Sequence, residues 1–164
     1  MRFMAFLMLC ASCGADYGGS GSSTGPDAAS GAAAQCTSNS FWSGGENGAM
    51  RPGEACIGCH ASSIEAPKLT IAGTVYATAH EPDDCNGASG ATVQITDASG
   101  ATLTLTTNAA GSFYSSAAIS FPVHAAVVTS SGTRAMAAAQ VTGDCNTCHT
   151  QAGASGAPGR VVTP

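Results

Sequence analysis

Ala91-Thr92-Val93-Gln94-Ile95-Thr96-Asp97-Ala98-Ser99-Gly100-Ala101-Thr102-Leu103-Thr104-Leu105-Thr106 is the stretch that decides the fold. On either side of Asp97-Ala98-Ser99-Gly100 the large apolar residues fall at every second position. Successive side chains of a strand point to opposite faces, so the pattern predicts a hairpin with Val93, Ile95, Leu103 and Leu105 sharing one inward face. Working outward, Leu69–Tyr76 is rich in β-branched residues and alternates in part. Asn108-Ala109-Ala110-Gly111 is a second turn signal leading into Ser112-Phe113-Tyr114. Val123–Thr129 and Arg134–Val141, parted by Ser130-Ser131-Gly132, read as two later strands. Short strands at this spacing predict a mainly β chain, with a small antiparallel β-sandwich over residues 68–142.

The flanks differ in character. Residues 36–67 show neither helical nor strand period, and 143–164 ends in a Gly- and Pro-containing tail, so both are expected to be loop-rich. Residues 13–35 are a Gly/Ser/Ala tether without the means to pack a core. Residues 1–12 hold Arg2, the apolar run Phe3–Leu9 and small residues after it, the pattern of an export signal too short to span a bilayer. A formal net charge of −5 and only five Lys and Arg exclude a basic patch, and with it nucleic acid as a partner. A core drawn from Ala, Val, Ile and Thr buries little apolar area, so covalent staples or cofactors are expected to support it.

Cys56-Ile57-Gly58-Cys59-His60 and Cys145-Asn146-Thr147-Cys148-His149 are both C-x-x-C-H. At this chain's Cys and His content, about 0.01 such motifs are expected by chance. The spacing has a chemical reason: two thiols three positions apart add across the two vinyl groups of haem, and the next imidazole reaches the iron. Both motifs resemble those of c-type cytochromes. The resemblance implies two covalently bound haem c groups, with thioethers at Cys56, Cys59, Cys145 and Cys148 and proximal ligands at His60 and His149. The strand region, through Gly73-Thr74-Val75, Gly90-Ala91-Thr92-Val93 to Gly100, and Thr107-Asn108 to Gly111-Ser112-Phe113, resembles the carboxypeptidase regulatory-like β-sandwich. That likeness implies a fold and no peptidase activity, because no His-Glu-x-x-His or His-x-x-Glu pattern is present. Ala11-Ser12-Cys13 resembles the processing site of bacterial lipoproteins, although Cys10 stands where Leu is usual. It implies export to the periplasm or cell surface, with a lipid on Cys13 as an outer-membrane anchor.

Four histidines are present. With two as proximal ligands, His80 and His124 remain, the number that bis-histidine ligation of two haems requires. His80 follows a strand in Thr78-Ala79-His80-Glu81-Pro82, and His124 opens one in Phe121-Pro122-Val123-His124. Met50 and Met136 are rival ligands, since a thioether raises a haem's potential relative to imidazole. Cys36 and Cys85 are left to form a disulfide, which would stabilise the chain by about 3–4 kcal/mol in the chain-entropy model. A zinc site of four thiolates is the competing use of the motif cysteines. The expected function is electron transfer to redox partner proteins, with self-association into a haem wire as a variant. A peroxidase-type haem enzyme and a surface binding module with structural haem are the alternatives.

Overall fold

The computed structural model describes residues 35–45 and 47–164. The expected signal segment 1–12, the lipid-bearing Cys13 and the tether up to residue 34 lie outside the described residues. Seven strands and two short helices are present among the rest: β1 Ile71–Tyr76, β2 Thr92–Thr96, β3 Thr102–Thr106, β4 Ser112–Ser115, β5 His124–Thr129, β6 Gly132–Ala135 and β7 Val161–Val162, with α1 Cys56–Ser62 and α2 Cys145–Cys148. The strands form two sheets, ordered β3-β2-β5-β6 and β4-β1-β7.

The hairpin forms as its alternation predicts. Val93 pairs with Leu105 and Ile95 with Leu103, while Asp97 Oδ1 accepts from the amides of Ser99 and Ala101 to close the turn. Its inward face meets Ile71 and Val75 of β1, Phe113 of β4, and Val123 and Val127, giving one small aliphatic core. The Cys36–Cys85 disulfide is present, with Cα atoms 5.4 Å apart, and ties the pre-motif segment to the loop after β1.

Two expectations need correction. The strand expected over 134–141 stops early, since β6 is Gly132–Ala135 and beyond it the pairing is carried by the Met136 amide on the Ala125 carbonyl and the isolated Val123–Gln140 bridge. The C-terminal segment is more than a loose tail. Val161 and Val162 pair with Val75 and Tyr76 as β7, the one parallel pairing of named strands in an otherwise antiparallel sandwich. This is why every residue of β1 is buried: the sandwich covers one face, and the two motif segments cover the other.

Candidate haem sites

The second motif is hydrogen-bonded into the edge of β1. The Ala72 amide donates to the Gly143 carbonyl at 2.9 Å, and the Thr74 amide donates to Asn146 Oδ1 at 3.0 Å. A side chain at Gly73 would stand 2.8 Å from Cys145 Cβ, so only glycine lets α2 lie this close to the strand.

The first motif is held by the second. Asp144 Oδ2 accepts from the amides of Ile57 (2.8 Å) and Gly58 (3.2 Å), supplying α1 with the N-terminal acceptor its own N-cap residue, Ala55, lacks. Asn146, buried inside the second C-x-x-C, donates to the Glu54 carbonyl at 2.9 Å and to Thr74 Oγ1 at 3.1 Å. The Thr74 hydroxyl in turn accepts from the Gly53 amide. Arg160 closes the arrangement from beneath. Its fully buried guanidinium donates to the carbonyls of Glu81, Gly53 and His149, pairs with Asp83 and lies over the Tyr76 ring. Motifs far apart in sequence are thereby neighbours.

Three imidazoles share one geometry. Nδ1 of His60 lies 3.0 Å from the Pro67 carbonyl, that of His149 2.8 Å from Gly159, and that of His80 2.8 Å from Gln151. A carbonyl accepts only from a protonated nitrogen, so each ring carries its proton on Nδ1 and presents Nε2 as a lone-pair donor. His80 and His149 share the loop after α2: Gly159 accepts from His149, and a Cβ on it would lie 3.3 Å from His80 Cε1.

Beside the second motif lies an open cleft of about 260 Å³. Val123, Ala125, Met136, Ala137 and Pro158 give it apolar walls, and Cys145, Cys148 and His149 face into it. His124 does not. Strand alternation turns it to the exposed outer face of β5, opposite Val123 and Ala125, so the cleft receives no second imidazole from it.

Cys56 and Cys145 are poor nucleophiles. Burial first, then the Asp144 carboxylate, pushes Cys56 up to about 11, and burial, Asp144 and neighbouring Cys56 push Cys145 up to about 12. Disulfide oxidoreductases and reactive cysteines need the opposite shift. Zinc is served no better: among the described residues the motif cysteines do not form a cluster close enough to hold one ion. The one cluster that does, Cys36, Glu81 and Cys85, has both sulfurs consumed in the disulfide. Cys56, Cys145 and Cys148 are free thiols, whereas Cys59 is disulfide-bonded.

Sequence reading missed Asp144, Asn146 and Arg160. Asp144 stands just before the second C-x-x-C and Asn146 within it, which was the only hint to their role, and Arg160 is read from sequence only as part of the Gly- and Pro-containing tail. The chain matches no protein-family model, and comparison with curated proteins and with solved structures likewise returns no match.

Proposed function

We propose that this chain is an exported electron-transfer protein carrying two haem c groups, one on each C-x-x-C-H motif. The observation that carries the reading is the shared placement of His60 and His149, each with Nδ1 against a backbone carbonyl, an arrangement that leaves Nε2 for a metal. Cys56 and Cys59, and Cys145 and Cys148, would hold the groups as thioethers, each S–H adding across a vinyl bond. At Cys59 a thiol reductant must first open the disulfide. The apolar walls of the open cleft beside Cys145 suit one face of a flat macrocycle.

Haem supplies one-electron iron chemistry when bound, and the residues around it set how that is used. The Pro67 and Gly159 carbonyls orient the proximal rings. Asp144 and Asn146 fix one motif against the other, which suits a relay through two nearby centres. His80, presenting Nε2 in the same way, is a distal ligand in this reading. Export, a lipid on Cys13 and an outer-membrane location belong to the same proposal. So do weakly docking redox partners with basic rims, which the net charge of −5 favours, and stacking of copies end to end.

The test is an absorption spectrum with haem quantitation on protein from a host that makes c-type cytochromes. Two haems per chain are expected, falling to one in the Cys145→Ala/Cys148→Ala variant. Folded protein free of haem would refute the proposal.

A further inference from the structure

Two haems need four axial positions filled, and the outward turn of His124 leaves one short. The second motif's cleft contains a candidate. Met136 lines it together with Cys145, Cys148 and His149, and its thioether is the only soft donor in that lining apart from the motif itself. Neither His80 nor His124 lines it.

Packing does not account for Met136. A structural methionine usually fills a gap in a core. This residue is half-buried, does not belong to the core cluster or to the apolar residues packed against it, and is flanked by exposed Ala135, Ala137, Ala138 and Ala139. Its backbone is nonetheless fixed. The Met136 amide donates to the Ala125 carbonyl at 2.8 Å, continuing the β5–β6 pairing one residue beyond β6 and setting the side chain at the cleft.

Building on the dihaem reading, we infer that Met136 is the second axial ligand of the haem on Cys145–His149. Methionine opposite histidine raises a haem's potential relative to two histidines, so exchanging Met136 for histidine should lower the potential of the second-motif haem.

The experiment compares wild-type holoprotein with Met136→Ala and Met136→His. Haem per chain is counted first, since its absence in wild-type protein refutes the dihaem reading itself. With two haems present, the ferric wild type is expected to show the weak far-red band of methionine-ligated haem. Met136→Ala loses that band, and one of its two haems becomes open to carbon monoxide. Met136→His loses the band while the second-motif haem stays closed to carbon monoxide. In the histidine variant one midpoint potential falls by at least about 59 mV, a tenfold change in the ratio of reduced to oxidised haem, and the other stays put. A far-red band surviving in Met136→Ala, or absent from the wild type, overturns the assignment while leaving the haems in place.

Discussion

Cys56–His60 opens a seven-residue helix with no buried residue, held on the sandwich through acceptors borrowed from the second motif, whereas Cys145–His149 is bonded into the edge of β1. The same five-residue signature therefore sits in two unlike settings. The first keeps its imidazole against the Pro67 loop, with fully exposed Ile64 nearby in sequence; the other faces an apolar cleft. The dependence runs one way. Asp144 and Asn146 belong to the C-terminal segment and organise the earlier one, so the later motif is the foundation and the earlier is its dependent.

The heaviest way to break this arrangement is Arg160→Ala. It removes a buried guanidinium that bonds Gly53 before the first motif and His149 in the second, leaving carbonyls without donors. A loss of about 3–5 kcal/mol is expected by denaturant unfolding. A loss under about 1 kcal/mol would mean that the C-terminal segment does not tie the motifs together.

Separating the two segments calls for a change that touches one of them. Replacing Cys36 and Cys85 together by Ala should cost about 2–4 kcal/mol. Amide exchange should speed up in residues 36–58, while the core strands and α2 keep their protection. Equal loosening of both segments would show that the disulfide serves the sandwich as a whole.

A smaller effect distinguishes protein with and without haem. In the apoprotein Cys56 and Cys145 titrate at about 11 and about 12, above the ordinary value of 9.0. The folded state binds these protons more tightly than the unfolded state, so their contribution is intact below about pH 9 and fades as pH rises towards the folded values. Thermal melts of protein without haem should fall across that window, and those of haem-loaded protein, whose sulfurs would be thioethers on the proposed reading, should fall less. Identical alkaline slopes would count against thioether formation at these two positions.

The hairpin and its register were legible because alternation over two runs joined by a turn admits only one inward face. Val161–Val162 was not, because a two-residue parallel strand has no period and gains its place from β1 alone. The two C-x-x-C-H motifs were legible as a pattern, but their support was not: Asp144, Asn146 and Arg160 act across long sequence separations that no local pattern records. The histidine count carries no direction: it matches the number of ligands to the number of sites, whereas buried Val123 and Val127 turn His124 outward by alternation.

Covalent attachment at both motifs is the claim on which the rest stands, and intact-mass measurement of the mature protein tests it most directly. Two haem additions per chain are expected, with peptide mapping assigning one to Cys56/Cys59 and one to Cys145/Cys148. A mature chain at bare polypeptide mass, from cells that attach haem to other proteins, would contradict the account.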